Sequence, residues 1–155
     1  MFEAPIDAWY VWIGLAVVSS TVFGVVSALP AAQPPDASET ARVIDGVAAS
    51  EYDAVGNHPL SNVDEIRIGT NSISVRNAGG TDHAGFGYDH VTPVREGSPL
   101  KPVLNGKPPY RVFDSLTAFE RALMQARTEE PDWEYADELT VRRVSWEGVN
   151  AVIVG

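Results

Sequence analysis

The chain has 155 residues, of which 21 are Asp or Glu and 11 are Lys or Arg, so its formal net charge is −10. This charge argues against nucleic acids and anionic lipid headgroups as partners, because both bind basic surfaces. The absence of cysteine excludes disulfides, thiol nucleophiles and Cys-ligated metals. Only Lys101 and Lys107 are lysines. An acidic, arginine-biased composition indicates a halophilic source, because concentrated salt screens the repulsion among carboxylates.

An apolar segment from Ala8 to Leu29 contains no charged residue. A helix of this length, at 1.5 Å per residue, spans the roughly 30 Å hydrocarbon core of a bilayer. We therefore predict three regions: an N-terminal segment with a transmembrane helix (1–29), a proline-rich exit linker (30–37) and an acidic soluble domain (38–155). The alternative is a cleaved signal peptide, but residues 1–7 contain two acids and no Lys or Arg.

Small residues recur at every fourth position of this segment, at Ala16, Ser20, Gly24 and Ala28. A continuous small face lets two helix backbones approach closely, so this spacing predicts packing against another transmembrane helix. The alternative is a chance alignment, since Ala, Ser and Gly are common in such helices. Packing would make the partners another copy of the chain or subunits of a larger assembly.

Two amphipathic helices are predicted after the linker. The first begins at a cap formed by Asp36 or Ser38 and extends to about Ser50, with Gly46 as its weak point. The second begins at Asp114, which can act as its cap. Its apolar stripe would pack on a sheet and consists of Leu116, Phe119, Leu123 and Ala126.

Alternating apolar and polar residues predict two β-hairpins. Residues 64–69 and 72–77 form the first, and residues 139–146 and 149–154 form the second around a Glu147-Gly148 turn. The last strand is apolar on both faces, as is typical of a central strand. A third strand is predicted through Phe86, Tyr88 and Val91, and residues 51–62 are predicted to be a loop. The fold class is therefore α+β: an N-terminal transmembrane helix followed by a small domain with an antiparallel sheet of hairpins and one or two packed helices.

Two Asp-His pairs are the candidate metal ligands: Asp82 with His83, and Asp89 with His90. Imidazole and carboxylate groups both bind divalent ions. A spacing of seven, however, places the two rings on opposite faces of a regular strand, and only a bulge at the intervening glycines would bring them together. We therefore expect no metal and no cofactor, and interpret both histidines as surface residues.

No pattern in the sequence indicates catalysis. There is no Gly-x-Ser-x-Gly elbow and no Gly-Lys-Ser/Thr phosphate loop. An acidic cluster of Glu134, Asp137 and Glu138 is interpreted as a solvated face. The aromatic residues Trp133, Tyr135 and Trp146 either form an exposed contact patch or are buried, the commoner outcome for aromatics.

Four stretches of the chain resemble a family of small, uncharacterised haloarchaeal membrane proteins. They are MFEAPIDAWYVW, SISVRNAGGTDHAGF, RVFDSLTAF and VRRVSWEGVNAVIVG. The resemblance implies an association with archaeal type IV or Tad-like pilus and secretion machinery. The stretch SISVRNAGG also resembles the strand ends of archaeal pilins and archaellins, in which an apolar helix polymerises and a β-rich head faces solvent.

The departures from the pilin pattern are as informative as the match. No Lys or Arg precedes the apolar segment, and Pro30, Pro34 and Pro35 interrupt the helix that a filament core requires. We therefore expect an accessory or minor pilin-like structural subunit at the cell surface. Arg42 alone would favour a cytoplasmic domain by the positive-inside rule, whereas the resemblance implies an extracytoplasmic one. The alternative function is a membrane-tethered binding module for a metal ion or small ligand.

Overall fold

The computed structural model describes residues 13–18 and 32–155. The chain forms two compact units, residues 1–31 and 32–155. In the first unit residues 13–18 are helical. The large apolar side chains in this segment are each more than half exposed, namely those of Ile13, Leu15, Val17 and Val18.

The expectation of a transmembrane helix is wrong for the part of the chain that the structure describes. No helix there combines the length and the apolar character that crossing a membrane requires. The two long helices of the second unit have 12 and 13 residues, whereas a bilayer core requires about 20 apolar residues. Residues 8–12 and 19–29 of the predicted span lie outside the described residues. Of the predicted packing face only Ala16 is described, in the helical segment 13–18, and Ser20, Gly24 and Ala28 are not.

The second unit is an α+β structure with two sheets. Its elements, in chain order, are α1 (Ala37–Ala48), β1 (Ala54–Pro59), β2 (Glu65–Ile68), β3 (Ser72–Asn77), β4 (Gly80–Gly85), β5 (Thr92–Pro93), α2 (Lys101–Leu104), a 3-10 turn (Pro109–Arg111), α3 (Leu116–Thr128), β6 (Glu134–Tyr135), β7 (Glu138–Trp146) and β8 (Val149–Val154).

The single antiparallel sheet that the hairpins predicted is instead two four-stranded sheets. The first has the strand order β1-β7-β8-β5 and the second β4-β3-β2-β6. Each predicted hairpin forms the two central strands of its own sheet. Two separate sheets can form two layers, so that the apolar face of each is covered by another layer. One pair, β5 with β8, is parallel. The prediction that β8 is a central strand is confirmed.

Both predicted hairpins are confirmed. In the second sheet Ile66 lies opposite Val75. In the first sheet Trp146 lies opposite Val149 across a two-residue turn. Both turn residues, Glu147 and Gly148, have positive φ (48° and 88°), as the tightest hairpin turns require.

Two predictions about strands are wrong. Residues 54–59 form β1 instead of a loop, and the strand after β3 is Gly80–Gly85 instead of a segment through Phe86, Tyr88 and Val91. Packing explains why residue 56 of β1 is a glycine, because a Cβ there would lie 2.7 Å from the Val47 side chain of α1. A glycine inside a strand marks this kind of close approach.

The helices form nearly as predicted. Asp36 caps α1 by accepting hydrogen bonds from the backbone N–H groups of Ser38 and Glu39. The cap of α3 is Ser115, one residue after the predicted Asp114, and its hydroxyl accepts a hydrogen bond from the Ala118 N–H at 3.2 Å. Three of the four predicted stripe residues of α3 are buried, and the fourth, Leu116, is partly buried.

The first sheet lies between two apolar clusters. One face, with Leu139 and Val141, packs against α1 and the inner face of the second sheet. The other face, with Val144 and Ile153, packs against α2 and α3. The second sheet therefore has one face in the core, and its opposite face, called here the outer face, points away from it.

Candidate interaction surface

Asp82, a candidate metal ligand, stabilises the start of a helix. It lies on β4, and its Oδ2 accepts a hydrogen bond from the N–H of Ala37 at 2.8 Å. This bond, with a second from the backbone of His83, holds the pKa of the Asp82 carboxyl below its usual range. The carboxylate therefore complements the positive end of the α1 dipole.

The other three candidate ligands do not face the same site as Asp82. His83 points to the opposite face of β4, where its Nδ1 and the Oγ of Ser74 are joined by a hydrogen bond of 3.1 Å. His90 lies beyond the end of β4, with a φ of 66°, and both it and Asp89 are exposed. Within residues 13–18 and 32–155 no group of three or more His, Asp or Glu side chains could hold a metal ion.

The loop that carries His90 is fixed by a residue that the sequence did not single out. The carboxylate of Asp45, on α1, accepts hydrogen bonds from the N–H of Gly87 at 2.9 Å and of Tyr88 at 3.2 Å. The sequence around Asp45 could not predict these hydrogen bonds, because the partners lie more than 40 residues further along the chain.

The outer face of the second sheet carries a cluster of arginines on one indole ring. Arg67 of β2 and Arg76 of β3 lie on this face because their strand neighbours Ile66 and Val75 face the core. Trp133 approaches from the segment before β6. The two guanidinium carbons lie 4.8 Å and 4.3 Å from its ring centroid, within the range of a cation–π interaction.

An ion pair joins this cluster to its neighbour. Glu65 of β2 accepts a hydrogen bond from Nε of Arg76, its direct cross-strand partner. The bond lowers the pKa of the Glu65 carboxyl and raises that of Arg76. The Arg76 side chain is held from both sides, by the carboxylate and by the ring, and is still 39% exposed.

Tyr135 extends the cluster to the edge of the sheet. It lies opposite Glu65 in the β2–β6 pair and is 85% exposed. The sequence left Trp133, Tyr135 and Trp146 open between a contact patch and burial. Tyr135 is exposed and Trp133 is partly buried on the outer face. Trp146 is also partly buried and packs against the core beside Phe119, with ring centroids 5.8 Å apart.

The acidic cluster next to these aromatics is only partly solvated. Asp137 and Glu138 are exposed, as predicted, whereas Glu134 pairs with Arg95, with its Oε1 3.5 Å from Nε. The Arg95 guanidinium also lies 4.0 Å from the carboxylate of Glu129. Arg95 therefore contacts the segment that carries Trp133 and Tyr135 at two carboxylates, one before Trp133 and one after it.

The model of a family of unknown function, DUF7283, matches residues 3–144. Neither a curated protein nor a solved structure matches the chain. The family description assigns no activity, so the resemblance to pilus and secretion proteins stays a prediction.

Proposed function

We propose that this chain, which belongs to the DUF7283 family of unknown function, is a structural or assembly subunit without catalytic activity. Its second unit would bind a protein partner through the outer face of the second sheet. The observation that carries the proposal is the stacking of Arg67 and Arg76 on Trp133, with the exposed Tyr135 beside them.

Residue type supports a protein partner. Trp, Tyr and Arg are the residues most enriched where protein interfaces concentrate their binding energy. The indole and the Glu65 carboxylate hold Arg76 in place before a partner arrives, which reduces the side-chain entropy lost on binding. The cluster also lies on a sheet face, a shape suited to a protein surface, whereas small ligands prefer enclosed pockets.

The resemblance supplies the partner class. We propose that the partner is a component of an archaeal type IV or Tad-like pilus or secretion system, with this chain as an accessory, pilin-like subunit. The second unit would then lie outside the cytoplasm.

The binding proposal is tested by quantitative co-purification after crosslinking in native cells. We expect Arg67→Ala/Tyr135→Ala to lower the recovery of the partner by about tenfold or more, as loss of central aromatic and arginine contacts does at other interfaces. The matched control is Tyr52→Ala, since Tyr52 is 82% exposed and lies outside the cluster. Equal recovery from the wild type and the cluster variant would overturn the proposed surface. A partner unrelated to pili or secretion would overturn only the partner class.

The location is tested separately with a single introduced thiol. Asn105 is exposed, and the natural chain has no cysteine. In Asn105→Cys a membrane-impermeant maleimide should label intact cells as fully as lysed cells. Labelling only after lysis would place the second unit in the cytoplasm and contradict the proposal.

A further inference from the structure

One segment of this acidic protein is basic. Residues 97–113 contain Lys101, Lys107 and Arg111 and no acid, so a chain of net charge −10 holds a +3 segment and carries −13 elsewhere. The segment forms α2 and the 3-10 turn. Both elements contact β7 of the first sheet.

Two adjoining surface hollows are lined by this segment. Lys101 and Lys107 line one, and Lys107 and Arg111 line the other together with Tyr110. No carboxylate lines either hollow among the described residues. The nearby Glu96 is already paired with Lys101, with 2.6 Å between Oε1 and Nζ. Three other hollows have acids in their linings, and one of these adjoins the start of the basic segment at residues 97–99.

Arg142 connects the basic segment to the edge of the first sheet. It lies on β7, and its Nη1 is 3.3 Å from where a Cβ on Gly106 would be. In the β1–β7 pair its cross-strand partner is Val55, and cross-strand partners share a face of the sheet. Val55 is 60% exposed and Tyr110 is 61% exposed, so apolar groups accompany the cations.

β1 is also an edge strand. In the part of the chain that the structure describes it pairs only with β7, so its other side presents unpaired backbone groups. Such an edge can accept an additional strand from another polypeptide.

We propose that β1 and the basic surface formed by Lys107, Arg111 and Arg142 bind an extended acidic segment of a partner protein. The segment would add to the first sheet as a strand beside β1. Its carboxylates would pair with the three cations, and its apolar side chains would contact Val55 and Tyr110.

Shape and hydrogen-bonding groups select this occupant over others. Both hollows are open to solvent. Within the described residues every buried polar side-chain atom already has a hydrogen-bond partner. There is therefore no enclosed, unpaired group that would bind a small anion. A nucleic acid has no peptide N–H and C=O groups that could pair with the free edge of β1, whereas an extended polypeptide has both. The surface belongs to the first sheet, so the inference is independent of the outer face of the second.

The test is a fluorescence-anisotropy titration of the full chain with a labelled synthetic peptide of about six residues, the usual strand length, that alternates glutamate and valine. We expect saturable binding that weakens about tenfold or more in Lys107→Glu/Arg111→Glu, because like charges then oppose each other. Both residues are exposed, and circular dichroism checks that the variant is folded. The charge-matched control, Arg42→Glu/Arg121→Glu, reverses two exposed arginines that line neither hollow and should change the affinity less than about twofold.

Hydrogen exchange tests the added strand. The peptide should slow exchange of backbone amides within residues 54–59, because those N–H groups would donate to its carbonyls. A version with methylated backbone nitrogens should not, because its methyl groups block the approach of a neighbouring strand and remove the donors to the β1 carbonyls. A lysine–valine peptide that binds equally well, binding that ignores the Lys107→Glu/Arg111→Glu change, or unaltered exchange in β1 would each overturn the proposal. Equally tight binding of linear polyphosphate would also overturn it by marking a general polyanion surface.

Discussion

Asp82 is a single carboxylate that joins two distant parts of the chain. Its bond to the N–H of Ala37 spans 45 residues and attaches β4 to the start of α1. The folded-state pKa of this carboxyl is lowered, so its ionised form stabilises the fold above the ordinary aspartate pKa of about 4. That contribution is lost as the pH falls through the lowered value.

We therefore predict that Asp82→Asn destabilises the protein only where the carboxylate is ionised. The amide still accepts a hydrogen bond but lacks the charge, so the free energy of unfolding should fall by about 1–2 kcal/mol at pH 7. Urea unfolding measured between pH 7 and pH 2 should show the two proteins converging below about pH 4. Asp89→Asn is the control because Asp89 is exposed. A difference that persists undiminished at pH 2 would assign the effect to shape instead of charge.

α1 is the element that connects the two sheets. It contacts β1 and β7 of the first sheet and β3 and β4 of the second. Both ends are held by charged side chains of the sign that the helix dipole favours. Asp36 and Asp82 accept hydrogen bonds at its start, and Arg143 of β7 donates to the carbonyl of Ala48 at its end.

Two glycine substitutions test the packing of α1. Gly46 lies inside the helix with open space where a Cβ would be, so Gly46→Ala should raise the free energy of unfolding by about 0.5–1 kcal/mol through helix propensity. The same change in β1, Gly56→Ala, should lower it by about 1–3 kcal/mol, because the new Cβ would meet Val47 at 2.7 Å. Thermal unfolding of both variants measures the effects, and shifts of the same sign would contradict this account of the interface between α1 and β1.

The elements that could be predicted from the sequence are those whose signals are local. The hairpin of β7 and β8 follows from its turn and alternation, and α1 follows from its cap and apolar stripe. β1 could not be predicted in this way, because Ala54 pairs with Arg143 and nothing near Ala54 in the sequence indicates that partner. The glycine and the proline in residues 54–59 locally favour a loop, but the strand pairing with β7 has the larger effect.

The candidate site also has one part that local sequence patterns predict and one part that depends on distant residues. Strand alternation already places Arg67 and Arg76 on one face of the second sheet. It gives no indication that Trp133, 57 residues after Arg76 in the chain, returns to cover both. The metal hypothesis rested on adjacency in sequence, whereas Asp82 and His83 point to opposite faces of β4 and bind different partners.

At the scale of the whole molecule, charge repulsion competes with a few ion pairs. In each ion pair of the described residues at least one side chain is more than a third exposed, and the pairs include Arg76 with Glu65, Arg95 with Glu134, and Lys101 with Glu96. Exposed pairs of this kind contribute about 0–1 kcal/mol each. Repulsion within a net charge of −10 acts over the whole surface at low salt. We infer that repulsion is the larger effect.

Salt should therefore stabilise the protein. Raising KCl from about 0.1 M to about 1 M shortens the screening length from about 10 Å to about 3 Å, which weakens repulsion between carboxylates that do not touch. We expect the melting temperature of the full chain to rise by several degrees, and by less in a variant whose exposed acids are neutralised by Glu51→Gln, Glu120→Gln and Glu138→Gln. Scanning calorimetry at both salt concentrations measures the difference. If the ion pairs contributed more than repulsion, the same salt would instead lower the melting temperature, and the acidic composition would then have no role in stability at high salt.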